Sequence, residues 1–95
     1  MRIMYEILNL LYTQEAKSKL IALTKKQIQQ ILAENGDVYV DRTIWNKLKA
    51  MSDNGLVCEG MKMGGSKTYY ISTNGIQFLK DMERNVDEEG SKDGK

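Results

Sequence analysis

The chain has 95 residues, 41% of them hydrophobic and 28% charged, with one cysteine and no histidine; that is room for one small globular domain. A lone cysteine excludes an internal disulfide and a cysteine zinc cluster, and the lack of histidine excludes Ser-His and Cys-His nucleophile pairs. The 13 acidic residues are scattered, with no phosphate loop and no metal-ligand spacing among them, so the composition points away from an enzyme and implies no cofactor and no metal.

The formal net charge is +1 but unevenly spread. Residues 17–80 hold ten Lys and Arg against five Asp and Glu, and residues 81–95 hold three against six. A basic body with an acidic tail is what a polyanion-binding domain would carry. No apolar run approaches the roughly 20 residues of a membrane helix. The apolar N-terminal stretch contains Glu6 and no small-residue cleavage site, so it reads as a structural helix and not a signal peptide. A cytoplasmic setting is the expectation.

In chain order, Ile3, Met4, Ile7, Leu8 and Leu11 recur at spacings of three and four, predicting a first helix that Leu10, Tyr5 and Tyr12 make apolar over most of its girth. Such a helix needs cover on more than one side, from the domain centre or from a second copy. Residues 13–19 are a polar connector, and Leu20 to Leu23 a brief strand. Thr24 with Gln27 forms a capping box, and Leu23 with Ile28 the matching hydrophobic staple, at the start of a second helix that buries Ile28, Ile31 and Leu32 and ends at Asn35-Gly36. After the link of residues 37–40, Asp41 is the expected N-cap of a third helix, with Val40 and Trp45 as its staple. Ile44, Leu48 and Met51 form the buried stripe of this helix, Trp45 packs beside them, and Asn54-Gly55 closes it.

A hairpin follows. Leu56 to Met61 and Thr68 to Ser72 read as strands, joined by Lys62-Met63-Gly64-Gly65-Ser66-Lys67. Of the adjacent tyrosines, one should join the core while the other faces the third helix or a phosphate. Cys58 and the methionines read as packing residues. Ser72 or Thr73 caps a last helix with Ile76, Leu79, Met82 and Val86 as its apolar stripe and Phe78 at its edge. The expected domain spans residues 1–86, with residues 87–95 a disordered acidic and polar tail. The fold class is mainly α with a small β-hairpin, in the order α-(β)-α-α-β-β-α.

The run Thr43-Ile44-Trp45-Asn46-Lys47-Leu48-Lys49-Ala50-Met51 followed by Gly55-Leu56-Val57 resembles the recognition helix and first wing strand of MarR-like and PadR-like regulators. Thr68-Tyr69-Tyr70-Ile71-Ser72-Thr73-Asn74-Gly75 is similar to their second wing strand and their "Tyr-x-Leu-Thr-x-x-Gly" entry to the final helix. The resemblance covers roughly residues 20–82 and implies a winged helix-turn-helix. The link from Glu34 to Val40 is longer than the tight turn of a minimal helix-turn-helix, which leaves the angle between the second and third helices open.

A helix in the major groove shows polar side chains outward while its other face packs. With Ile44, Leu48 and Met51 inward, the open side of the helix spanning 42–53, or its flanks, holds Arg42, Thr43, Asn46, Lys47, Lys49 and Ala50. Arg42, Asn46 and Lys47 are candidates for base edges, since Arg and Lys match guanine and Asn matches adenine. Lys49 is a candidate phosphate contact. Lys62, Ser66 and Lys67 surround the glycine tip of the wing, residues 61–68, and Lys25 and Lys26 start the second helix, where amides and lysines together could meet a phosphate. The expected function is sequence-specific binding of double-stranded DNA by a prokaryotic or viral transcriptional regulator, dimeric through the first and last helices, with no small-molecule ligand evident. The alternative is a winged-helix adaptor or inhibitor that binds protein.

Overall fold

A computed structural model describes the backbone of residues 2–93 and the side chains of residues 2–84. The order is α1 (Arg2–Thr13), β1 (Leu23–Thr24), α2 (Lys25–Glu34), α3 (Asp41–Asp53), β2 (Val57–Glu59), β3 (Thr68–Ile71) and α4 (Thr73–Asp93). The sheet is antiparallel in the order β1-β3-β2, with Leu23 opposite Tyr69 and Glu59 opposite Tyr69 on its other side. This is the expected α+β architecture. The backbone of α4 is helical to Asp93, across most of the stretch read as a tail; the side chains of that stretch, and Val86 of the expected stripe, lie outside the described residues. Among the described residues, no helix is long and apolar enough to cross a membrane.

One core holds the elements together. Ile3, Ile7, Leu8, Leu10 and Leu11 of α1 meet Ile28 and Leu32 of α2, Ile44, Leu48 and Met51 of α3, Val57, Tyr69 and Ile71 of the sheet and Leu79 of α4. Much of the dense apolar girth of α1 is covered from within, since it lies against α2, α3, β3 and α4, with Met4, Tyr5 and Tyr12 left half-buried.

Three helices end in the same way. At α2 the amide of Gly36 bonds Ala33 O and that of Asp37 bonds Leu32 O; at α3 Gly55 bonds Ser52 O and Leu56 bonds Met51 O. Both are Schellman caps with a left-handed glycine, φ +92° at Gly36 and +74° at Gly55. At α1 the same bonds run from Glu15 to Tyr12 O and from Ala16 to Leu11 O, and here the left-handed residue is Glu15, φ +63°. The turn delivers Ala16, fully buried, to β3, where its carbonyl accepts from the Ile71 amide at 2.8 Å.

Several local expectations need correction. The brief strand is only Leu23–Thr24, while Leu20 and Ile21 stand exposed. The N-cap of α3 is Val40, with no side-chain cap, and Asp41 is the first helical residue. The staple therefore moves back by one, to half-buried Tyr39 and buried Ile44; Val40 and Trp45 are exposed. The methionines divide: Met51 is core, whereas Met61 and Met63 are exposed on the hairpin. The expected caps of α2 and α4 are present. Thr24 Oγ1 accepts from the Gln27 amide and Gln27 Oε1 accepts from the Thr24 amide; Ser72 Oγ accepts from the Gly75 amide at 2.9 Å.

Candidate nucleic-acid interface

The geometry of this face starts with what fixes α3. Its inner stripe of Ile44, Leu48 and Met51 is essentially inaccessible. Its entry is held by the link that follows α2. Tyr39 donates its hydroxyl to Glu6 of α1 at 2.9 Å, Arg2 Nε donates to the other Glu6 oxygen at 3.1 Å, and Gln29 Nε2 donates to the Tyr39 carbonyl at 3.0 Å. The longer link is therefore pinned at Tyr39 from both α1 and α2, which sets the angle the sequence left open. Burial raises the Glu6 carboxyl, but hydrogen bonds from Asp37, Tyr39 and Arg2 outweigh it and hold the group below its usual range. The same bond to Glu6 raises the Tyr39 hydroxyl, so Tyr39 keeps the proton it donates.

The candidates on α3 are not equivalent. At about 100° per residue, Arg42, Asn46 and Lys49 point away from the buried stripe, and all three are exposed. Thr43 and Lys47 are half-buried, on the flank opposite Trp45 and Lys49. Lys47, read from sequence as a base-edge candidate, is thus set back, while Lys49 stands forward on the side of the wing.

The wing is a tight hairpin on a rigid stem. Met63 and Ser66 exchange both backbone hydrogen bonds at 2.9 Å, and Gly64 and Gly65 between them have φ of +56° and +85°. Two successive positive φ values make a type I′ turn, which glycine accepts without strain. Below the tip, Gly60 N bonds Thr68 O, Met61 N bonds Lys19 O, and Thr68 Oγ1 donates to Met61 O at 2.7 Å. Lys62, Ser66 and Lys67 are exposed.

Wing, α2 and α3 converge on one groove of about 330 Å³ lined by Thr24, Lys25, Lys26, Trp45, Ser66, Lys67 and Tyr69. A second hollow continues it past Trp45 along Lys49, Ser52, Asp53 and Glu59. The candidate residues of the α2 start, Lys25 and Lys26, and of the wing, Ser66 and Lys67, therefore share one surface with Lys49. Two cations there are held by carboxylates, Lys25 by Asp41 at 2.8 Å and Lys67 by Glu59 at 3.5 Å.

Trp45 was missed by the sequence reading, which placed it in the core. It is 45% exposed, with the Lys49 ammonium 5.3 Å from its ring centroid. The signal was available: Trp45 lies about 100° from Ile44 around the helix, and the polar residue Lys49 shares its flank. Of the two tyrosines, Tyr69 both joins the core, 6% exposed, and lines the groove, while Tyr70 faces the other side opposite Cys58.

No family model and no curated protein sequence matches the chain. Solved structures do. A PadR-like transcription factor from Bacteroides fragilis superposes with a TM-score of 0.78 at 21% identity, over 96% of this chain and 85% of that one. A PadR family transcriptional regulator from Eggerthella lenta gives 0.74 at 16% identity, over 93% and 77%. The Bacillus subtilis PadR in complex with operator DNA gives 0.71 at 22% identity, over 86% of this chain and 46% of that one. The chain shares the winged-helix fold of these structures.

Proposed function

We propose that the chain is a transcriptional regulator that binds double-stranded DNA, with α3 in the major groove and the wing, residues 61–68, on the backbone or minor groove. The observation that carries this reading is the exposure of Arg42 and Asn46 on α3, whose adjoining flank at Trp45 shares a groove with Lys67 of the glycine-tipped hairpin. In this reading Arg42 and Asn46 read bases, and Lys25, Lys26, Lys49, Lys62, Ser66 and Lys67 meet phosphates. Thr43 and the set-back Lys47 reach the groove wall. The similarity in fold to a regulator solved with operator DNA supports the same reading.

The protein is proposed to act in the cytoplasm as a homodimer through α1 and α4, with recognition helices in successive major grooves about 34 Å apart. The test is selection of bound sequences from a random duplex pool, followed by fluorescence anisotropy at rising salt. A two-fold symmetric consensus, with log affinity falling linearly in log salt, is the expected result. No measurable duplex affinity at low salt overturns it. That outcome favours a protein-binding module, for which exposed Leu20, Ile21 and Met61, adjacent through the Met61–Lys19 backbone bond, would supply the contact.

A further inference from the structure

We propose that Trp45 is a clamp for the sugar-phosphate backbone, packing on deoxyribose without reading sequence. The inference rests on the duplex-binding reading above and goes beyond it by assigning a role to the exposed indole between α2, α3 and the wing. Three observations carry it.

First, Trp45 is 45% exposed, although the core-facing stripe of its own helix is closed. An indole left this open is a ready contact area for another molecule. Second, it sits at the meeting point of two hollows, between the start of α2, the flank of α3 and the wing. Lysines come from every side: Lys25 and Lys26 from α2, Lys49 from α3 and Lys67 from the wing. Third, this charge identifies the occupant. A groove with an apolar wall and a lysine rim matches a chain that alternates deoxyribose with phosphate, and the indole N–H can donate to a phosphate oxygen. Base edges belong to the outward arc of Arg42 and Asn46, whereas Trp45 faces the wing. The second hollow pairs Lys49 and Lys67 with Asp53 and Glu59, so the excess positive charge lies in the first, whose lining holds Lys25, Lys26 and Lys67 and no carboxylate. A lysine-lined hollow shared by α2, α3 and the wing favours the DNA strand.

Trp45 is the only tryptophan of the chain, so the wild-type protein reports on itself. Adding duplex should shield its fluorescence from acrylamide, in step with the anisotropy of a labelled duplex. Trp45→Ala should weaken binding about tenfold, equally on two unrelated duplexes, and leave the salt slope unchanged because no charge is removed. Trp45→Phe should retain most of the affinity. The fluorescence result stands even if Trp45→Ala fails to fold, as melting by circular dichroism would reveal.

Duplex binding with unchanged acrylamide quenching, and a folded Trp45→Ala of wild-type affinity, would overturn the clamp while leaving the function intact. A loss confined to one sequence would overturn it in favour of base reading. An absence of any duplex binding would remove the underlying function, and the clamp with it.

Discussion

Replacing Gly75 with alanine tests whether α4 is seated on the corner between α3 and β2 through bare backbone. A Cβ at this position would overlap the Leu56 carbonyl oxygen and lie 2.7 Å from Ile71 Cγ1. Leu56 has little freedom to retreat. Its carbonyl accepts from the Ser72 amide at 3.0 Å and the Ser72 hydroxyl at 2.9 Å, and its own amide bonds Met51 O at 2.9 Å. Overpacking of this kind costs about 1–3 kcal/mol, and against backbone the upper end applies. Alanine's better helix propensity offsets at most about 1 kcal/mol. The net loss of about 2 kcal/mol corresponds to a fall in Tm of about 8–16 °C for a chain of this size, read by circular dichroism. Gly36→Ala is the control: the added atom meets nothing within 4 Å, and only its φ of +92° is penalised, at about 1 kcal/mol. A Gly75→Ala protein that melts with its parent, or a Gly36→Ala protein that melts lower still, would falsify the close-approach argument.

Glu15→Gly should raise stability by about 0.5–1 kcal/mol in urea denaturation, since relief of a left-handed φ outweighs the added chain entropy; a lower midpoint contradicts the cap assigned to α1. Asp37→Asn should melt higher than the parent at neutral pH. The hydrogen bond to Glu6, with burial and the Glu6 charge, raises the folded Asp37 carboxyl above 3.8, so ionising it disfavours the fold. Stability therefore declines as pH rises from that ordinary value through the raised one, and the advantage of the variant should vanish on acidification through the same window. Lys67→Ala should reduce the slope of log affinity against log salt by about one unit, with Lys47→Ala changing it less; equal slopes for the two would contradict the groove geometry.

Much of the fold was legible because its signals are local and agree with one another. The Thr24–Gln27 box, the glycines ending α2 and α3, the Gly64-Gly65 turn and the Ser72 cap each act within a few residues, and each is found in place. Legibility failed where distant groups decide. Asp41 looked like a cap, but the chain enters α3 one residue earlier, and the Asp41 carboxylate is taken by Lys25 of α2 instead. Glu15 gave no cue for a left-handed cap, because the pairing of Ala16 with Ile71 fixes that turn from 55 residues away in sequence, a purely tertiary demand. Trp45 is expected in the staple only if Asp41 caps α3; with Val40 as the cap the staple passes to Tyr39 and Ile44, and Trp45 is left on the flank that opens onto the wing. Lys47 and Lys49 differ by two places in sequence, yet their exposure separates them in a way that composition cannot.

The tie between the Met61 amide and the Lys19 carbonyl divides the hairpin into an anchored root and a free tip. Since the root is fastened before the turn begins, residue pairs could be added around Gly64-Gly65 without disturbing the body. Each added pair would extend the arm by about 3.3 Å, so two pairs, which keep the side chains on their faces, would extend it by about 7 Å. If the wing meets DNA as proposed, the same anchored stem would serve duplex sites of different geometry, with reach altered by insertion and not by redesign.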